Sequence, residues 1–182
     1  MKRNKHVTLV HKHNVLKITD GIFLDACHEV AKDFPEVKVD EFIVDAMMAH
    51  MVRTPERFDV IVTTNMFGDI LSDLTAELSG SIGMGGSLNA GAHYAMGQAA
   101  HGSAPDIAGQ DVANPFSLIL SAAMLLRWHA QRKNHDLFAK AGTHIEVAVA
   151  HCVADGQSTR DVGGSLGTKE TGKAVIGKLL LS

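Results

Sequence analysis

Aromatic residues are scarce in this chain of 182 residues: seven Phe, one Trp and one Tyr, too few for a base-stacking surface. Cysteine is scarcer still. Cys27 and Cys152 stand alone, outside any Cys-x-x-Cys, so a disulfide framework is excluded and a reducing cytoplasm is the expected location. No charge of one sign prevails, since 17 Lys and Arg against 20 Asp and Glu leave a formal net charge of −3. Without basic blocks, nucleic acid is not expected as the main partner. The longest apolar run, Pro115 to Leu126, stops at Arg127 and is too short to cross a bilayer. The basic start, Lys2-Arg3-Asn4-Lys5, is not followed by the apolar block of a signal peptide. Neither a membrane protein nor a secreted one is expected. The chain has no Gly-x-Gly-x-x-Gly, so an ordinary Rossmann reading lacks support. What remains is 46% hydrophobic and 20% charged, the composition of a soluble globular chain long enough for one domain or two small lobes.

The patterning predicts alternating strands and helices. Val7 to His11 is a β-branched, apolar run that reads as a buried strand. Thr19 or Asp20 then caps a helix whose Phe23, Ala26, Cys27, Val30, Ala31 and Phe34 recur with helical period until Pro35. Val37 to Val44 reads as a second strand, Ala46 to Arg53 as a Met-rich helix, Phe58 to Thr64 as a third strand and Gly68 to Leu78 as a helix. Such alternation implies βαβ units and a mostly parallel sheet. Residues 80–109 hold eight glycines and read as a loop-rich crossing between two lobes. Beyond it, Asn114 caps and Pro115 opens a helix through Leu126; further helices are expected from Asp136 to Val153 and from Thr168 to Leu181.

Four places could carry chemistry. Asp69 and Asp73, four residues apart, project from one helix face; they suit a hard divalent cation such as Mg²⁺ or Mn²⁺, or Asp69 simply caps its helix. Asp45 ends the second strand, where ligands of parallel sheets bind, so three carboxylates could converge; a helix cap is the plainer alternative. Lys12 ends the first strand, placed to shuttle protons or to be an ordinary surface lysine. The polar loop His101-Gly102-Ser103-Ala104-Pro105-Asp106-Ile107, continuing to Asn114, could hold phosphates on its backbone amides and a ribose diol on Asp106.

Several segments together closely resemble the β-decarboxylating dehydrogenases of the isocitrate and 3-isopropylmalate dehydrogenase family. They are Lys12-His13-Asn14-Val15-Leu16, Val44-Asp45-Ala46-Met47, the run from Phe58 through Gly68-Asp69-Ile70-Leu71-Ser72-Asp73, the loop from His101 to Pro115, and Thr159-Arg160-Asp161-Val162-Gly163-Gly164. The resemblance implies an α/β fold and an enzyme that oxidises a 2-hydroxy acid with NAD and releases its β-carboxylate as CO₂. It assigns Asp45, Asp69 and Asp73 to the metal, and Lys12, with Asp45, to catalysis. Asn14 matches a residue near the nicotinamide ribose. His101, Gly102, Ser103, Ala104, Pro105, Asp106, Ile107 and Asn114 match the dinucleotide loop, with Asn114 at the adenine. Asp106 marks the NAD-preferring version, because an aspartate there bonds both ribose hydroxyls and repels a 2′-phosphate. It also implies a homodimer in which Lys12 and Asp45 reach the partner's site, with the helices from Asp20 and Gly68 forming the interface.

Two departures accompany the resemblance. Gly97-Gln98-Ala99 stands where the family has Phe-Glu-Pro, and Gly86 where it has a proline. The chain also corresponds to the second half of a family member, with residues 1–79 in the smaller central domain and 80–182 in the nucleotide domain. The substrate-clamping arginines and a catalytic tyrosine would come from a complementary N-terminal half. A non-catalytic or regulatory dimerisation subunit, or an inactive remnant, is the competing expectation. A metal-dependent hydrolase ranks last, for lack of a nucleophile and base system.

Overall fold

The computed structural model describes residues 3–133 and 135–180. The chain divides into two compact units, residues 1–78 and 79–182.

The first unit alternates β1 (His6–His11), α1 (Thr19–Ala31), β2 (Lys38–Ile43), α2 (Val44–Arg53), β3 (Val60–Thr63) and α3 (Asn65–Leu78). Its sheet is parallel in the order β2-β1-β3. The central strand is the apolar run, as both its faces are covered: Thr8, Leu9 and Val10 are buried. Val10 forms a core with Met47 and Met51, one turn apart on α2, and with Leu71 of α3; Phe42, Phe58 and Ile61 pack around them.

Several boundaries differ from the sequence expectation. The predicted stripe of α1 is not its buried face: Leu24 and Asp20 are buried, whereas Val30 and Phe34 are exposed, and the helix ends at Ala31. Neither Thr19 nor Asp20 caps it; Ile18 occupies the cap position without a side-chain bond, and Asp20 is drawn instead to the main chain of Lys12. β2 passes directly into α2, so Asp45 lies in the first helical turn and not at the end of the strand. α3 begins at Asn65, with Gly68 N already bonded to Thr64 O at 2.9 Å. Asp69 therefore sits within the helix and cannot cap it.

The second unit corrects the expected loop. Residues Gly86–Ala90 (β4) and Ala95–Ala99 (β5) form an antiparallel hairpin beside α4 (Phe116–Lys133), which runs past Leu126; α5 (Asp136–Ala154) and α6 (Thr168–Leu179) follow. The predicted end of the last helix at Leu181 lies outside the described residues. Phe116, Ala148, Val149, Cys152 and Val175 make the core.

The hairpin needs its glycines because α4 approaches closely. A Cβ on Gly97 would lie 2.9 Å from the Ser121 carbonyl oxygen, and one on Gly86 would lie 2.9 Å from Met124 Sδ. Two buried serines stitch the contact: Ala100 N donates to Ser117 Oγ and Ser87 N to Ser121 Oγ, both at 2.9 Å. Gly97 and Gly86, which stand at two of the positions that depart from the family pattern, thus have a packing reason; the structure gives none for Gln98. Gly97→Val, otherwise suited to a strand, is expected to cost about 1–3 kcal/mol by overpacking. Thermal denaturation checks this, and an unchanged midpoint would mean that α4 yields freely.

Candidate active site

Lys12 follows β1 and is held by its main chain as much as by its side chain. Its N–H donates to Asp20 Oδ2 at 2.5 Å, and its carbonyl accepts from Val15 N and Leu16 N at 2.9 and 2.8 Å. Asp20 is 3% exposed; a buried carboxylate requires such a donor. With the backbone fixed, Lys12 Nζ donates to Asp45 Oδ1 at the start of α2. That hydrogen bond, with a second from the amide at the helix start, holds the Asp45 carboxyl below the usual carboxylate range. Asn14 lies on the exposed turn just after Lys12.

Asp69 and Asp73 are both exposed on α3. Asn65 Nδ2 donates to Asp69 Oδ2 at 3.3 Å. Neither carboxylate enters an ion pair among the described residues. Two uncompensated carboxylates one turn apart are a fitting donor set for a hard cation, whose charge removes their repulsion. The expected convergence of three carboxylates does not occur within one chain. Among the described residues no three His, Cys, Asp or Glu side chains are gathered to hold a metal, and Asp45 is engaged with Lys12.

The loop from His101 runs through a one-turn 3₁₀ helix at Pro105–Ile107, entered by Ala104 at φ 40°. His101 Nδ1 contacts Gly102 O at 2.8 Å, and Gln110 Nε2 donates to the Asp106 carbonyl at 2.8 Å. Gly102, Ser103, Ala104, Pro105 and Asp106 are exposed, and His101 and Ile107 half-buried. Asp111 takes φ 58° and is tied to the start of α6: Thr168 N donates to Asp111 O at 2.9 Å and Lys169 N to Asp111 Oδ1 at 3.1 Å. The loop ends at Asn114, whose Oδ1 accepts from Phe116 N at 2.9 Å and so caps α4 as the sequence predicts.

Two carboxylates that support these segments were not singled out as site residues from the sequence. Asp20 looked like a helix cap. Asp161 lay in a quoted motif, with its partners 47 and 80 residues away. Its Oδ2 accepts from Asn114 Nδ2 at 2.9 Å and Ser81 Oγ at 2.5 Å, and its Oδ1 from Thr159 Oγ1 at 2.6 Å. Burial pushes this carboxyl up, but the hydrogen bonds from Ser81, Thr159 and Asn114 together outweigh it and hold the group below the usual range.

A lowered carboxyl pKa contributes stability above the unfolded value of about 3.9, lost as pH falls through the folded one. The melting temperature is therefore expected to hold from pH 7 to about 5 and to drop below about pH 4, less steeply in Asp161→Asn. Equal acid slopes in the two proteins would contradict this.

The arrangement of strands, helices and loop is shared with solved dehydrogenases. The isocitrate dehydrogenase from Methylococcus capsulatus superposes with a TM-score of 0.87 at 44% identity, over 96% of this chain and 50% of that one. Residues 1–175 match the family model described as isocitrate/isopropylmalate dehydrogenase. The chain belongs to that family. It is 45% identical to the 3-isopropylmalate dehydrogenase of Archaeoglobus fulgidus over 96% of its own length and 52% of the relative's. With the NADP isocitrate dehydrogenase of Rickettsia bellii it shares 44% identity over 96% of this chain and 36% of the relative. The chain thus spans about half, or less, of the relatives it matches. Among the described residues no helix is long and apolar enough to cross a membrane.

Proposed function

We propose that this chain is the metal- and dinucleotide-binding part of an NAD-dependent enzyme that oxidatively decarboxylates a small 2-hydroxy acid, working as a homodimer with shared sites. The observation that carries the reading is the division of charge in the first unit. Lys12 and Asp45 form one fixed pair, while Asp69 and Asp73 form a separate, uncompensated one. A site completed by a second copy would join Asp45 of one chain to Asp69 and Asp73 of the other. The exposed apolar residues Ile22 and Val30 of α1 and Ile70 of α3 supply the kind of surface such a dimer would bury.

In this reading Asp69 and Asp73, with Asp45 from the second copy, would hold Mg²⁺ or Mn²⁺. When bound, the cation supplies Lewis acidity toward the hydroxyl and carboxylate of the substrate, and NAD accepts the two electrons. Lys12 moves a proton at Nζ, its amide fixed by Asp20 and its ammonium oriented by Asp45. Asn14 lines the nicotinamide ribose. The loop from His101 to Asn114 would hold the adenosine half, with the Asp106 carboxylate available to accept from the ribose hydroxyls.

The substrate-clamping arginines belong to a complementary N-terminal half. The test is to assay the purified chain with Mg²⁺, NAD or NADP, and malate, tartrate, isocitrate and isopropylmalate, alone and with that half co-expressed. NADH formed only with the complement supports the proposal. No turnover in either case, with the chain folded, favours a non-catalytic subunit instead. Asp106→Lys is expected to shift the NAD-to-NADP preference toward NADP by about tenfold or more, the order of one charged contact made or removed. Steady-state kinetics with both cofactors checks this; an unchanged ratio would remove Asp106 from the assignment.

A further inference from the structure

The largely exposed loop of residues 101–114 keeps its internal backbone hydrogen bonds to the turns between Ala104 and Gln110, and it carries two non-glycine residues, Ala104 and Asp111, at positive φ. Such a path persists only where its surroundings impose it. Ala104 is held within the loop by its own turn, where Ile107 N donates to Ala104 O at 3.1 Å; the end of the loop, from Asp111 to Asn114, is held in two places by the segment between Thr159 and Lys169. One is the start of α6, which ties down Asp111 and, through Thr168 Oγ1 to Ala113 O at 2.5 Å, the residue before Asn114. The other is Asp161.

Asp161 itself lies on an exposed turn, yet its three donors are all buried: Ser81 is 5% exposed, Asn114 8% and Thr159 0%. They come from three separate stretches of the chain, and one carboxylate joins them. The space around it is full. A Cβ on Gly83 would meet Asn114 Cβ at 2.7 Å, Asn114 Nδ2 at 2.8 Å and Asp161 Oδ2 at 2.8 Å. Each end of the Asn114 amide is already in a hydrogen bond, Oδ1 with Phe116 N and Nδ2 with Asp161. One end of this amide caps α4 and the other donates to Asp161, which thereby determines which way the amide faces.

We propose that Asp161 is the positioning residue of the dinucleotide loop: it fixes the Asn114 anchor, and with it the path of residues 101–114, without touching the ligand. The proposal rests on the dinucleotide reading of that loop for its consequence in binding, but not for its structural half.

The polarity of the network supplies the test. In Asp161→Asn the amide keeps an oxygen toward Asn114 only by turning its NH₂ onto the Thr159 hydroxyl, which must then accept where it now donates, and the charge that strengthens the bond from Asn114 is lost; in Asn114→Asp two carboxylates face each other. The double exchange, D161N with N114D, restores a donor–acceptor pair. The new amide donates to the new carboxylate, and Ser81 accepts where it now donates. The carboxylate introduced by N114D still caps α4, where a negative charge is favoured. Amide hydrogen exchange over residues 101–114 and calorimetric titration with NAD are measured on the full chain and all three variants.

Each single variant is expected to speed exchange in the loop and weaken NAD binding, both by roughly tenfold, the order of one net hydrogen bond. Exchange in β1 stays unchanged, and the double variant returns to within about threefold of the parent in both readouts. The proposal is overturned if the single variants change neither, or if the double variant exchanges as fast as they do. It also fails if the double variant regains protection but not NAD affinity, because one of the two side chains then touches the ligand. A parent chain that binds no NAD would sink the dinucleotide reading, while the exchange data would still decide whether Asp161 holds the loop.

Discussion

Lys12→Met, in the enzyme reconstituted from this chain and its complement, is expected to lower kcat by about 10²–10⁴-fold, the range for losing a positioned proton-transfer group. Methionine keeps most of the length and apolar body of the lysine stem, so the loss falls on Nζ. The amide of residue 12 keeps its bond to Asp20, and the turn that follows keeps its bonds to the residue-12 carbonyl; the local backbone is therefore preserved. KM for the hydroxy acid should move much less than kcat, because a proton-transfer group acts in the transition state. Single-turnover kinetics separate the chemical step from product release. If kcat falls by less than threefold, Lys12 is only the ion-pair partner of Asp45.

Asp69→Asn carries the second large effect. It removes one negative charge from a site whose affinity for a hard cation depends on carboxylate oxygens. Mn²⁺ binding should weaken by more than the roughly 10–100-fold typical of losing an outer-shell partner. Because Asp69 and Asp73 have no cationic partner among the described residues, relieving their repulsion should leave the melting temperature of the metal-free protein equal or higher. A variant that binds Mn²⁺ normally would return Asp69 to the surface of α3. Gain of thermal stability together with loss of metal binding is the pair of results that only a ligand role produces.

The sequence made the first unit legible because its signals are local. The apolar run through Leu9 and Val10 could only be a covered strand, and Pro35 and Pro55 bracketed the elements between them. What it mistook was decided by tertiary contacts. Asp20 has the residue type and place of a helix cap, but the unpaired amide of Lys12, eight residues away, takes its carboxylate. The α1 stripe with Val30 and Phe34 has the period of a core face, and period alone cannot say whether the core belongs to one chain or two. Glycines 86 and 97 read as a loop because glycine is an unfavourable strand residue. They sit in a hairpin because α4, through Met124 and Ser121, comes too close for a Cβ at either position.

Residue type and order singled out Lys12, Asp45, Asp69, Asp73 and the loop from His101 to Asn114 as candidates, and the resemblance gave each its proposed role. The expected meeting of three carboxylates within one chain does not occur among the described residues, because Asp45 begins α2 and pairs with Lys12 while Asp69 and Asp73 project from α3. Asp161 escaped as a site residue for a different reason. Its role exists only through Ser81, Asn114 and Thr159, and hydrogen bonds across 47 and 80 residues leave no periodicity to read.

The central claim is that one metal site is assembled from two copies of the chain. Mixing two inactive variants tests it most directly: Asp45→Asn and Asp69→Asn, each reconstituted with the complementary half, then dissociated and reassociated together. If the site is shared, half of the random dimers are mixed and each holds one intact set of Asp45, Asp69 and Asp73. The mixture then regains about a quarter of the parent activity and of its Mn²⁺ sites. If all three carboxylates serve within one chain, no mixed dimer contains an intact set and the mixture stays as inactive as its parts.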